Sequence, residues 1–274
     1  MKRIKSRVIS RSVGDIMAAE GRVLKGDEII RGRMDAFLAT WDGTLSPRVA
    51  NRVAELLKEP QRDRSGSWSA SSAGLCKRRQ EFTFLGVLPG NAGVLDPRMN
   101  RIFLNGRWVH LRYQATLMEA GILDNIEVLV KRPKQRARCS MDGMGVAQGG
   151  QFARRDFGFE LKGRNLFTFG SQRLDGPDEK TKKQVDFMFL LSGLEVFVIL
   201  NENKNDQDVS EWVFTPEDDR LREAAQELKE LNRAVDKQRL HPMLNECKEK
   251  RGAWKQCPFA GRNGACINTG SWIN

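Results

Sequence analysis

Apolar positions recur along this chain with two periods. Over residues 157–165, FGFELKGRN, the period is two: Phe157, Phe159 and Leu161 lie on one face of a strand, Glu160 and Lys162 on the other. A strand inside an α/β domain is usually apolar on both faces, because leaving a buried charge unpaired costs several kcal/mol. Either this strand lies at a sheet edge, or something charged sits opposite Glu160 and Lys162. IEVLVKR, ARCSMDGMGVA, EVFVILNEN and SEWVFT also read as strands. The helical period marks PRVANRVAELLKE (Val49, Val53, Leu56 and Leu57) and the stretch from Asn100 to Ala120, closed by Gly121, where Phe103, His110, Tyr113 and Leu117 share a face. AGLCKRRQEFTFLG predicts a short helix and EKTKKQVDFMFLLSG a longer one. Thr215-Pro216-Glu217-Asp218 is a helix start, with a Thr cap, Pro in the first turn and acids at the positive end; the stripe Leu221, Ala225, Leu228, Leu231 and Val235 follows. This order of elements predicts an α/β fold with a mixed sheet flanked by helices. Residues 1–64 read as a basic helical segment, and 65–274 as a domain with its core at about 100–240 and a cysteine-bearing, irregular tail over 241–274.

Composition narrows the partners. The 274 residues are 40% apolar, enough for a substantial core, but no apolar run is long enough to span a bilayer, so no membrane partner is expected. The N-terminal MKRIKSRVISRSVGD is basic and lacks the apolar stretch of a signal peptide, which predicts a cytoplasmic protein. Forty-six Lys and Arg against 35 Asp and Glu give a net charge of +11, suited to a polyanion such as nucleic acid. The five cysteines, Cys76, Cys139, Cys247, Cys257 and Cys266, are odd in number in a cytoplasmic chain, which argues against structural disulfides.

Each polar residue of the core region has a bland reading by itself. Asp142 before Gly143 suits a turn. His110 suits a partly buried histidine with Gly106 one turn before it leaving room above the ring, and Glu160 with Lys162 suits an edge ion pair. Together they suggest more. Two carboxylates on adjacent strands plus an imidazole can bind Mg²⁺ or Mn²⁺ and leave positions for water and a phosphate. A lysine beside them can orient or deprotonate a water that attacks phosphorus.

These residues carry a resemblance. Asp142 followed by Glu160-Leu161-Lys162 resembles the D…(D/E)-x-K signature of the PD-(D/E)XK nucleases, and NGRWVH, ending at His110, resembles the G-x-x-x-H motif of their RecB-type branch. KKQVDFMF is similar to the Q-x-x-x-Y motif of the following helix, with Gln184 in place and Met188 where Tyr is expected. The resemblance implies a restriction-endonuclease-like core. It also implies catalytic roles for Asp142, Glu160, Lys162 and Gln184, and a metal held by His110, Asp142, Glu160 and the Leu161 carbonyl.

The tail needs a source of order, because so short an irregular segment buries little apolar surface, and a metal or cluster can supply it. Zinc knuckles show tight cysteine pairs that are absent here, whereas an iron–sulfur cluster accepts wider spacing. S-x-S…L-x-C-x-R-R upstream of the core and C…C-P-F…C after it resemble the iron–sulfur RecB-like exonucleases. These include the CRISPR-associated exonucleases and AddB-type nuclease domains, with stand-alone versions in phages. That resemblance implies a [4Fe–4S] cluster on Cys76, Cys247, Cys257 and Cys266, with zinc as the alternative, and leaves Cys139 to the core. It further implies a DNA exonuclease with 5′→3′ polarity, acting on single strands or duplex ends in recombination, repair or replication, beside a helicase or recombinase. Arg78, Arg79, Arg164 and Lys183, next to motif residues, are the candidate phosphate contacts. Two competing readings are a catalytically degenerate DNA-binding subunit and a restriction-like endonuclease.

Overall fold

The structure is a computed structural model and describes residues 28–59, 65–88, 96–248, 257–260 and 264–268. Six strands make one mixed sheet: β1 (Trp68–Ser69), β2 (Asn125–Arg132), β3 (Ala137–Val146), β4 (Asp156–Arg164), β5 (Val196–Asn203) and β6 (Val209–Phe214). β3 is its hub. β2 runs antiparallel along one edge of β3. On the other edge, the start of β3 pairs parallel with β1 (Trp68 opposite Ala137) and its end pairs antiparallel with β4 (Gly143 opposite Phe159). β4 then pairs parallel with β5, and β5 antiparallel with β6.

Helices cover both faces: α1 (Arg31–Leu38), α2 (Pro47–Lys58), α3 (Lys77–Phe84), α4 (Pro97–Glu119), α5 (Leu166–Asp175), α6 (Glu179–Ser192) and α7 (Asp218–Asp236), with short helices α8 (Asn245–Lys248) and α9 (Ala265–Asn268) in the tail. One core joins Leu111 and Leu117 of α4 and Ile30 and Met34 of the α1 region to Phe157, Phe159 and Leu161. The opposite core sets Val185, Met188 and Phe189 of α6 and Leu228 and Leu231 of α7 on Cys139, Met141, Phe197 and Ile199. Phe157 and Phe159 are fully buried, each worth about 1.5–3 kcal/mol relative to exposure. The β4 alternation is therefore real; β4 lies between β3 and β5 as far as Phe159, and among the described residues Glu160 and Lys162 keep β5 alone as a partner strand. Met188 and Cys139 are core residues.

The long helix starts three residues earlier than its periodicity suggested, because the Asp96 side chain accepts from the Arg98 N–H and Pro97 opens the first turn. Gly121, at φ +62, follows its C-cap. Buried residues begin only at Leu111, and Phe103, expected on the buried face, is 56% exposed. α7 begins at Asp218 with Glu217 at the cap, so Thr215 and Pro216 precede the helix instead of capping it. α1 and α5 were not expected. α1 buries one residue, Met34, and α5 turns Leu166, Phe167 and Leu174 outward, so neither carries an apolar stripe. Among the described residues no helix is long and apolar enough to cross a membrane.

Candidate active site

The site lies where β3 parts from β4. Their ladder ends at Gly143–Phe159, and the next pair, Asp142–Glu160, does not form. Instead the Asp142 carboxylate accepts the Leu161 N–H at 2.7 Å, so a side chain takes over where the ladder stops. The β2–β3 ribbon rolls over at the same point. Cys139 and Met141 face the α6–α7 core, whereas Gly143 and Gly145 turn to Leu123 and Phe157 in the α4 core. A Cβ at Gly145 would come within 2.1 Å of the Ile122 carbonyl, so only glycine fits there. On β2, Ile126 joins the α4 core and Val128 packs against the other. Glu127, between them, drops out of the β2–β3 pairing, which passes from Ile126–Gly143 to Val128–Met141, and has φ +52, a left-handed conformation costing on the order of 1 kcal/mol for a residue with a side chain.

Into the seam come three more groups. Lys162 Nζ donates to Glu160 Oε1 at 2.7 Å and to Gln184 Oε1 at 2.9 Å, and Gln184 Nε2 donates to the same Glu160 oxygen at 2.8 Å. α6 supplies Gln184 because its apolar face, Val185, Met188 and Phe189, seats it on the sheet. On the α4 side, His110 Nδ1 stands 3.1 Å from Asp142 Oδ1. Burial pulls the His110 pKa down, but the charge and hydrogen bond of Asp142, with Glu160 behind, outweigh it and lift it to about 9. Burial pushes Asp142 up, yet His110, the Leu161 N–H and Lys162 hold it below the usual carboxylate range. Glu160 goes the other way: burial first, then Asp142, raise it against the pull of Lys162 and His110.

Two buried carboxylates that repel one another, with an imidazole beside them, form a donor set suited to a hard divalent cation. In the arrangement seen here these donors are turned on each other and on Lys162. Among the described residues no group of three or more His, Cys, Asp or Glu side chains has metal-holding spacing. A Cβ at Gly106 would meet nothing within 4 Å, so that glycine is not needed to clear the His110 ring.

Two residues that sequence reasoning missed complete the site. Gln114, one turn after His110 and 1% exposed, donates to the Asp142 main-chain carbonyl at 2.9 Å and to Glu127 Oε1 at 3.0 Å. Gln114 fell among the buried positions of the helix, where an amide with two partners looks no different from an ordinary polar residue. Nothing in IEVLVKR signals the backbone turn at Glu127. A cleft of about 870 Å³ opens from His110, Asp142, Glu160 and Gln184 along α4 and the β2–β3 ribbon.

The candidate phosphate contacts divide. Lys183 is exposed, with its methylenes against Gly74. Arg79, Lys162 and Arg164 lie close enough to Lys180 to help lower its pKa, after burial, so cations gather beside the seam. Arg164 is largely engaged, donating to Thr181 Oγ1 at 3.1 Å with Asp178 at 3.4 Å. Arg78 is a correction. It is 4% exposed and its guanidinium donates to the main-chain carbonyls of His241 (2.9 Å) and Cys266 (3.5 Å), so it anchors the tail and does not face a phosphate.

The cysteines converge in part. Burial raises the Cys266 thiol pKa and Arg78 lowers it, while Cys257 and Cys76 lie close enough to raise it further. Cys257 and Cys266 share a small core with Phe82 and Phe259, and Cys247 is buried on α8. Glu81, fully buried on α3, holds His241 by both its main-chain N–H and its ring nitrogen, tying the helix after Cys76 to the tail. Thiol donors suit an iron–sulfur cluster or zinc.

No protein-family model matches the sequence, and no curated protein is similar to it. Among solved structures the chain is similar to SSO0001, with a TM-score of 0.47, 15% identity, and coverage of 77% of this chain and 91% of that one. It is similar to LHK-Exo in complex with dAMP, with a TM-score of 0.46, 16% identity, and coverage of 63% and 89%. It is similar also to the alkaline exonuclease LHK-Exo from Laribacter hongkongensis, with a TM-score of 0.46, 17% identity, and coverage of 64% and 90%.

Proposed function

We propose that the protein is a divalent-metal-dependent deoxyribonuclease that hydrolyses phosphodiester bonds from DNA ends. The observation carrying this reading is the convergence of His110, Asp142, Glu160, Lys162 and Gln184 at one seam. They do so in the order, and on the kinds of element, that the nuclease resemblance implies. Asp142, Glu160, His110 and the Leu161 carbonyl would hold Mg²⁺ or Mn²⁺, which when bound polarises phosphoryl oxygens and lowers the pKa of water. Lys162, steadied by Gln184, orients a water for attack and balances charge gathering on the phosphate. The water oxygen bonds to phosphorus as one of its protons passes to bulk water, the bond to the leaving sugar oxygen breaks, and that oxygen takes a proton from Lys162 or solvent. The net charge of +11 supports a polyanionic substrate.

The finer reading follows the resemblance: an iron–sulfur RecB-like exonuclease of 5′→3′ polarity. It carries a [4Fe–4S] cluster, with zinc as the alternative, on Cys76, Cys247, Cys257 and Cys266. It works in the cytoplasm, that of the host for a phage protein, with a helicase or recombinase. The packing of Cys257 with Cys266 in the tail core, and the hold of Arg78, two residues after Cys76, on the Cys266 carbonyl, support the cluster. The completeness of the Glu160–Lys162–Gln184 set speaks against a degenerate site.

The test is digestion of labelled linear DNA with Mn²⁺ beside a covalently closed circle. We expect loss of linear DNA alone, and rates lower by about 10²–10⁴ in Glu160→Gln and Lys162→Met with DNA binding retained. Full activity in either variant overturns the reading, and digestion of the circle makes the enzyme an endonuclease.

A further inference from the structure

The cleft that leads away from the seam changes character along its length. At the inner end its floor is acidic, lined by Glu127 of β2, Asp142 of β3 and Glu160 of β4. One step out, Leu129 stands opposite Ser140, and a further step out Lys131 stands opposite Arg138. Side chains two apart on a strand share a face, so Ser140 and Arg138 form one row; Asp142 lines the same cleft, with Arg138 about 13 Å along the strand from it. The wall above is α4. Asn100, Phe103, Leu104 and Arg107 line the same cleft as His110 and Gln114, and Phe103 lies about 10 Å along the helix from His110. Phe103 is 56% exposed and Leu104 52%, and Leu129 below them is 37% exposed. Arg107 is already engaged, donating to the Leu56 and Leu57 carbonyls, which holds this wall in place.

Large apolar side chains this exposed, inside the cleft that holds the reacting groups, need an apolar occupant with a charged backbone. From this gradient we infer that the outer cleft binds one unpaired nucleic-acid strand. A base stacks on Phe103 against Leu104 and Leu129, while the phosphates run from the acidic inner end to Arg138 and Lys131. A stacking platform of this kind accepts any base; it excludes an internal base pair, both of whose faces are taken by its neighbours, and a cleft that seats one strand leaves no room for the second strand of a terminal pair. The inference rests on the proposed nuclease reading and adds the site that grips the strand, with Phe103 as its stacking platform. Trp108, also on α4 and 51% exposed, does not line the cleft and serves as the control.

The experiment is equilibrium binding in EDTA, where nothing is cut, followed by anisotropy of fluorescein-labelled (dT)12 and of a blunt duplex of equal length. A parallel series of oligonucleotides carries 2-aminopurine at successive positions, to report stacking directly. Phe103→Ala should weaken (dT)12 binding about tenfold and abolish the 2-aminopurine quenching at one position. Phe103→Trp should retain both, duplex binding should change less than twofold, and Trp108→Ala should bind (dT)12 as the wild type does. Unchanged (dT)12 binding in Phe103→Ala, an equal loss on the duplex, or an equal loss in Trp108→Ala overturns the inference. A protein that stacks (dT)12 through Phe103 but never cuts DNA with Mn²⁺ overturns the nuclease reading alone. One that cuts DNA while ignoring Phe103 overturns the stacking groove alone.

Discussion

Gln114 holds Asp142 by its main chain, donating to the carbonyl at 2.9 Å from the helix turn that follows His110. The same nitrogen reaches Glu127, so one buried amide sets the distance between α4 and both strands of the ribbon. Gln114→Leu should leave the Asp142 carbonyl and Glu127 without this donor. The Mn²⁺ needed for half-maximal cleavage should rise about 10–100-fold. A metal titration of the variant checks this, with Gln114→Met as a second replacement of similar shape.

The His110–Asp142 pair predicts a pH window for the metal-free protein. The folded-state pKa of His110, about 9, lies above its ordinary value of 6.5, so its contribution to stability is full below pH 6.5 and is lost as pH rises through 9. Asp142 is shifted down, so its share is lost as pH falls below the ordinary carboxylate range. Urea midpoints in EDTA should therefore decline between pH 6.5 and 9, and His110→Gln should flatten that decline. Because a metal ligand must give up its proton, Mn²⁺ affinity should rise over the same interval.

The segment before α1 is fastened to β6 by one side chain. Glu211 accepts the N–H groups of Ile29 (2.6 Å), Ile30 (3.1 Å) and Arg31 (2.6 Å), which seats Ile29 and Ile30 in the core. Glu211→Ala should lower unfolding free energy by about 2 kcal/mol, and limited proteolysis should cut near residue 30 faster in the variant than in the wild type.

Arg78 and Lys183 should behave oppositely despite both flanking motif residues. Lys183→Ala should reduce the slope of log affinity for DNA against log salt by about one unit, the mark of one lost phosphate contact. Arg78→Ala should leave that slope alone and lower thermal stability, because it frees the tail carbonyls of His241 and Cys266.

Protein purified without oxygen should be brown, absorb near roughly 400 nm and carry iron. Cys76→Ser should lose the colour and the iron together. A colourless, zinc-loaded preparation would assign the thiols to zinc.

Much of this was legible in the chain, because the candidate site reuses the most local of patterns. The β4 alternation put Phe157, Phe159 and Leu161 on one face, and it required a reason for Glu160 and Lys162 that His110, Asp142 and Gln184 supplied. What was not legible depends on contacts between distant segments. The parting of β3 from β4 is a property of pairing, and ARCSMDGMGVA reads the same whether its partner is one strand or two. Glu127 is an ordinary strand residue until its backbone turns over. Arg78 sits in a basic run, KRR, and only the returning tail makes it a buried anchor. α5 escaped because LFTFGSQRLD buries Phe169 alone of its large apolar residues and turns Leu166, Phe167 and Leu174 outward.

The two partners of β3 on one edge leave a gap between them. β1 covers Ala137 and Arg138, β4 covers Gly143 to Val146, and among the described residues no strand pairs with Cys139 to Asp142 on that side. The seam is thus a stretch of open edge in the interior of a sheet, the kind of surface on which a stray strand from another chain can pair. Asp142 closes part of it by taking the Leu161 N–H, and the charges of Glu160 and Lys162 repel a newcomer. The groups proposed for hydrolysis should therefore also disfavour aggregation. Replacing all three by apolar residues should give a protein that self-associates as well as one that no longer cuts.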